Sequence, residues 1–346
     1  MASCSASASA AHSTGASSDE RDMMYVPTMH TFFRKATIIY GASGTGKSTI
    51  VRHIMHLLKG HIPNAIAFSE SEEVNGMYSR IMIPRQFVYE SLNPDIIRLI
   101  MERQTKAVAI YKRANDITTL EALVTRLAPG DGAHVLHDAR AAFDHTTRNA
   151  GGVTPEMSEM FETRYREIMR KIIGARLERM RDLRSLRLTE NEEFAIRWFS
   201  FVPDFLIVID DCTQSIGAMK RDPNIARLLF MGRHSFVTTI MSVHADTFLD
   251  TSWRTNVGVS IFTSGTIASA YGSKSTNGIS DRGAFSACAS RIVDKAEPYT
   301  KMILIEQVPY LLQVEQHQPF VFVSDTVRDF ARKVAKHENT DWMKGL

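Results

Sequence analysis

Residues 35–48 read KATIIYGASGTGKS, and this stretch decides the fold. Its first part is β-branched and aromatic and runs into a glycine-rich turn, which predicts a short strand over 35–40. Beyond the turn, Ile50, Val51, Ile54, Met55, Leu57 and Leu58 recur at helical spacing, and Gly60 and Pro63 close that helix. Residues 64–68 (NAIAF) read as a second buried strand. Strand, helix and strand in this order predict a βαβ crossover and a parallel sheet.

Working outward, residues 205–209 (FLIVI) form a continuous apolar run of the kind buried on both faces of a parallel sheet. Further strands are expected over 236–243, 257–263, 302–306, 310–314 and 320–323, and a closing helix over 326–337. Residues 264–286, rich in Ser, Gly and Thr, read as a mobile loop. Between about 93 and 191 the helical period dominates, interrupted at residues 129–132 (PGDG) and 149–152 (NAGG). The expected fold class is α/β: a mainly parallel central sheet flanked by helices, carrying a helical insertion at about 93–191. The expected domain spans 23–346, after a Ser/Ala/Gly-rich tail over 1–22 that is too polar to bury a core.

Composition agrees with this. The chain has 346 residues, 44% hydrophobic and 23% charged, ordinary for a globular α/β domain. A net charge of +3 permits an anionic partner without demanding one. Cys4, Cys212 and Cys288 form no metal-binding pattern and read as reduced thiols. No apolar run approaches the roughly 20 residues that span a bilayer. The first residues lack the apolar segment of a secretory signal, so neither membrane insertion nor secretion is expected.

Residues 41–48 match G-x-x-x-x-G-K-[ST] in full, the Walker A pattern. Glycines let such a loop wrap with its N–H groups inward, and those donors, with the following helix N-terminus, hold phosphate oxygens. Gly41, Ala42, Ser43, Gly44, Thr45, Gly46, Lys47, Ser48 and Thr49 are therefore the candidate nucleotide-binding residues. Lys47 would place its charge on the β/γ phosphates of ATP, and the Ser48 hydroxyl would hold Mg²⁺. Asp210 and Asp211 end the 205–209 strand in the manner of a Walker B motif. Asp210 is the expected second Mg²⁺ partner, and Asp211 is placed to orient or deprotonate an attacking water. His244, at the end of the next strand, is a candidate sensor of the γ-phosphate. Arg233 and Arg254 are candidates for an arginine that stabilises the transition state on a neighbouring subunit. The stretch 161–188 is the most basic helical one; Arg164, Arg166, Arg170, Lys171, Arg176, Arg179, Arg181, Arg184 and Arg187 would let it track phosphates without reading sequence.

Together these segments resemble the genome-packaging ATPases of poxviruses and other nucleocytoplasmic large DNA viruses, a branch of the FtsK–HerA superfamily. The matching pieces are the strand and loop over 38–48, the apolar strand ending in Asp210-Asp211 and the helix ending in Gly232-Arg233-His234. The strand over 238–244 and Arg254-Thr255-Asn256 complete the set. The family usually carries Gln where this chain has His244, and this chain is much longer between the first helix and Asp210. The resemblance implies an ATP-hydrolysing, homo-oligomeric ring that moves double-stranded DNA into a preformed capsid. It further implies a capsid or portal protein as partner and the infected host cell as the setting. Two alternatives stay open from the residues: a P-loop kinase of a small, nucleoside-type molecule with the basic stretch as a lid, and a structural virion protein that binds nucleotide. No Asn-Lys-Xaa-Asp guanine-reading motif is present.

Overall fold

The computed structural model describes residues 24–149, 152–180, 186–292 and 300–336. The expected tail over 1–22 lies outside them, as do Arg181 and Arg184 of the basic stretch. The chain divides into two compact units, residues 1–101 with 204–346, and residues 102–203.

The first unit is built on a nine-stranded sheet. Its strands are β1 (Met24–Tyr25), β2 (Ala36–Tyr40), β3 (Asn64–Ser69), β4 (Val88–Tyr89), β5 (Phe205–Asp210), β6 (Val237–Val243), β7 (Val259–Phe262), β8 (Thr300–Ile305) and β9 (Val308–Gln313), in the order β1-β9-β8-β7-β2-β6-β5-β3-β4. From β7 to β4 all neighbours are parallel, while β8 runs antiparallel to both β7 and β9. Every residue of β5, β6 and β7 is buried, which is why β5 reads as a continuous apolar run rather than an alternation. Ile38, Ile39, Ile207 and Ile240 are fully buried within this core, with Ile50, Ile54 and Met55 of the helix Lys47–Leu58. At about 25 cal/mol per Å² of apolar area, each such side chain contributes roughly 1.5–3 kcal/mol.

Two expectations are corrected here. Residues 320–323 are not a strand: Phe322 donates to the Met82 carbonyl and Ser324 to the Pro63 carbonyl, isolated bonds that form no ladder. Residues 264–286 are not a loop. They hold the helices Gly265–Gly272 and Arg282–Ser290, started by the side chains of Ser264 and Asp281, which accept from the amides of Ile267 and Ala284.

The second unit is helical. The helix Pro94–Ala114 starts in the first unit and continues into it, followed by Ile117–Leu127, Asp131–Asn149, Pro155–Leu177 and Glu190–Arg197. Leu120, Leu123, Val124, Tyr165, Met169, Ile173 and Ala195 form its own core. Asp116, Thr154 and Thr189 cap three of the helices, and Glu192 returns the bond to the Thr189 amide in a capping box.

Candidate active site

Parallel pairing brings the chemical residues to one edge of the sheet. Tyr40 pairs with Val243 and Ser69 with Asp210, so β2, β3, β5 and β6 all end at the same level. The glycine-rich loop leaves β2 there, Asp210 and Asp211 close β5, and His244 follows β6. β6 lies between β2 and β5. With strands about 4.7–4.9 Å apart, the loop strand and the Asp210 strand are separated by roughly 9–10 Å, wide enough for two side chains reaching toward a hydrated cation.

The loop's backbone explains its glycines. Gly44 and Gly46 adopt φ of 75° and 90°, the left-handed region. Gly46 is the N-cap of the helix Lys47–Leu58 and turns that helix's free amides toward the loop. Gly41 needs its missing side chain for space, since a Cβ there would stand 2.4 Å from Thr263 Oγ1 and 2.7 Å from Thr45 Oγ1. Thr263 donates to Thr45, which in turn donates to the Ala42 carbonyl, each at 2.8 Å, so β7 braces the loop.

Lys47 is buried inside the loop, and its ammonium donates to the carbonyls of Gly41 at 2.9 Å and Ala42 at 3.0 Å. That leaves one of its three hydrogens for a further acceptor. Burial pushes the ammonium's pKa down, and the charges of Asp211 and Asp210 work against that shift. Ser43 and Ser48 are exposed at the open side of the loop.

Asp210 is almost fully buried. Tyr78 donates to its Oδ2 at 2.8 Å and Ser242 to its Oδ1. Burial pushes its carboxyl up from the usual range, and the two hydrogen bonds oppose that. Ser242 also accepts from the Asp211 amide at 3.1 Å, which helps hold Asp211 in a left-handed conformation at φ 58°. The Asp211 carboxylate is half-exposed and lies 3.5 Å from His244 Nε2. The donors meet the chemistry of a hard cation: a loop hydroxyl, a strand-end carboxylate and room for water, with no thiol or imidazole required.

Sequence reasoning missed Tyr78 and Ser242, which fix the aspartate pair. Ser242 had a faint signal, a hydroxyl in an otherwise apolar stretch of a buried strand. Tyr78 comes from an irregular segment with none. Also missed is a cavity of about 510 Å³ beside the loop, lined by Thr45, Thr49, Thr263, Ile267, Lys301 and Val314 among others. The Lys301 ammonium donates to the Thr263 carbonyl at 3.1 Å within that wall.

The arginines separate. Arg254 is 9% exposed at its side chain and is consumed by Asp246 at 2.8 Å, Asn277 at 2.6 Å and Thr251 at 2.8 Å, a structural network rather than a free cation. Arg233 is exposed in the turn before β6, at the sheet edge opposite the loop. In the basic helix Pro155–Leu177, Arg170 is held by Asn115 and the Phe199 carbonyl, while Arg164 and Lys171 are exposed. No helix among the described residues is long and apolar enough to cross a membrane.

No protein-family model matches the chain. It is 28% identical over 294 residues to the uncharacterized protein B354L of African swine fever virus (isolate Pig/Kenya/KEN-50/1950), covering 81% of each chain. To B354L of the isolate Warthog/Namibia/Wart80/1980 it is 28% identical over 260 residues, covering 72% of each. A shorter match, 39% over 72 residues, joins it to the uncharacterized protein 015R of Frog virus 3, covering 21% of this chain and 22% of that one. Similar solved structures include the genome packaging NTPase B204 of Sulfolobus turreted icosahedral virus 2 with ATP-gammaS, at TM-score 0.38 and 13% identity, covering 83% of this chain and 98% of that one. The plasmid coupling protein TrwB with ADP and Mg²⁺ is similar at TM-score 0.36 and 12% identity, covering 88% and 93%. The chain thus has homologues in African swine fever virus, a nucleocytoplasmic large DNA virus.

Proposed function

We propose that this chain is a Mg²⁺-dependent ATPase of the FtsK–HerA type that translocates double-stranded DNA and packages a viral genome in the infected cell. One observation carries the reading: the phosphate loop, Asp210-Asp211 and His244 stand at one sheet edge, with β6 inserted between the two strands that hold loop and aspartates. In this reading the loop amides and Lys47 bind the triphosphate of ATP, and Ser48 and Asp210 hold Mg²⁺, which neutralises phosphate charge when bound. Asp211 orients the attacking water. His244, in contact with Asp211, reports whether the γ-phosphate is present.

Arg233 fits a role in trans. Seven residues of β6 at about 3.3 Å each place it roughly 20 Å or more from its own loop. It lines an open groove of about 540 Å³ with Arg34, Lys35 and Phe230, and Phe230 and the neighbouring Met231 are 40% and 49% exposed. A cation beside exposed apolar side chains suits the face a neighbouring subunit of a ring would meet. In this reading Arg164, Lys171, Arg179 and Arg187, exposed cations of the 161–188 stretch, meet DNA phosphates.

ATP turnover by the purified chain, with and without double-stranded DNA, tests this. Mg²⁺-dependent hydrolysis stimulated by DNA is expected. Lys47→Ala and Asp210→Asn should each lower it by at least about 10²-fold, the scale for removing one preorganised charge contact. Unchanged turnover in either variant refutes the site. Hydrolysis that waits on a nucleoside acceptor and ignores DNA points instead to a kinase.

A further inference from the structure

The helix that leaves the phosphate loop buries an imidazole as well as its apolar face. His53 is 4% exposed, and its Nδ1 lies 3.1 Å from Nε2 of His317, in the segment after β9. The same His317 nitrogen lies 3.8 Å from Oε2 of Glu315. Ligand atoms of the three residues all fall within 4.8 Å of one another, the one group of its kind among the described residues. The cluster is preset. His56 stacks on the His317 ring with centroids 3.9 Å apart and 10° between planes, Phe320 meets His56 edge-on, and Arg52 donates to the His317 carbonyl at 3.2 Å.

A ring-to-ring N–H···N hydrogen bond accounts for the 3.1 Å contact alone. The carboxylate converging on the same nitrogen stands at 3.8 Å, beyond the reach of a hydrogen bond from it. Either tautomer of that bond also leaves His53 Nε2 buried without a partner, a desolvation cost comparable to the net worth of a neutral hydrogen bond. A cation held between the two rings and the carboxylate is a stronger interaction and outweighs it. With metal–nitrogen bonds of about 2.0–2.1 Å, two tetrahedral ligand atoms stand about 3.4 Å apart, between the two separations observed.

We propose that His53, Glu315 and His317 bind a divalent first-row transition ion of the zinc class, which pins the segment after β9 to the helix that leaves the phosphate loop. Two imidazoles and one carboxylate suit zinc and disfavour Mg²⁺, so this site is chemically separate from the nucleotide cation. Glu315, with its side chain 72% exposed, leaves the fourth position to water. The pinned segment starts beside Val314, which lines the cavity next to the loop, so the ion would stiffen one wall of that cavity.

The test does not depend on ATPase activity. The full-length chain is stripped with a chelator and titrated with Zn²⁺ by calorimetry and with Co²⁺ by visible absorption. Expected are one zinc per chain, a tetrahedral Co²⁺ spectrum and a higher melting temperature with Zn²⁺. His317→Ala should weaken binding at least roughly 100-fold and Glu315→Gln at least roughly 10-fold, since losing a direct ligand costs no less than losing an outer-shell partner. Lys47→Ala should bind zinc as the wild type does. Glu315 lies at the exposed rim of the cluster and His317 inside it, so circular dichroism is used to check that both variants fold. A folded wild-type chain that takes up no stoichiometric zinc, or equal uptake by wild type and His317→Ala, overturns the proposal.

Discussion

Gly41 and Ser242 show how much of the site rests on single atoms. A methyl group at Gly41 would press on two hydroxyls of the Thr45–Thr263 brace. Gly41→Ala is therefore expected to cost about 1–3 kcal/mol of strain, felt as displacement of the loop. Calorimetric titration should show ATP affinity falling at least about tenfold while far-ultraviolet circular dichroism is unchanged. Ser242→Ala removes the donor to Asp210 and the acceptor for the Asp211 amide at once. About 1–3 kcal/mol of stability should be lost in a urea melt, the cost of buried polar groups left unpartnered. The loop was legible in the sequence because left-handed turns demand glycine and a phosphate cradle demands one lysine at a fixed place. Ser242 was not, because a hydroxyl in a buried strand also reads as ordinary strand composition. The histidine–glutamate cluster was illegible for another reason: 264 residues separate His53 from His317, and no local pattern joins them.

At the scale of elements, sequence pattern failed where composition and local chemistry disagreed. Residues 264–286 have the Ser, Gly and Thr content of a loop, yet two side-chain caps and the buried Tyr271 and Phe285 make helices of them. The β8–β9 hairpin turns through Glu306 and Gln307 at φ 48° and 70°, a mirror-image turn usually signalled by Asn-Gly. The 264–286 segment is tied down by Asp246, which is bound by Lys274 and Asn277 as well as by Arg254. Burial alone would raise its carboxyl, but the hydrogen bonds from Lys274 and Asn277 and the charges of Lys274 and Arg254 outweigh it, and the pKa is depressed. Such a group contributes its full stability above the unfolded-state pKa of about 3.9 and loses it as pH falls through the lower folded value. Urea midpoints measured against pH should fall more steeply below about pH 4 in the wild type than in Asp246→Asn. At neutral pH, Asp246→Ala should cost about 3–5 kcal/mol, because it strands the buried Arg254 charge.

For the whole molecule, the division between the two edges of the sheet matters most. The parallel core followed from apolar runs and the strand–helix–strand succession, whereas β1 and β4, two residues each, are too short to carry a pattern. On the proposed reading, Arg233→Ala should bind ATP normally and hydrolyse it roughly 10³-fold more slowly, the lower range for an arginine acting in trans. Mixing it with Lys47→Ala should restore part of the turnover, since one protomer supplies an intact loop and the other an intact arginine. No recovery in a mixed oligomer confirmed by mass measurement counts against that role. β6 is bonded to β2 on one flank and β5 on the other along nearly its whole length. A rod clamped on both sides neither stretches nor buckles. On the proposed reading, a nudge at His244 when phosphate departs would therefore pass along β6 to the far turn, so firing in one protomer would prime the next and the subunits would work in relay rather than at random.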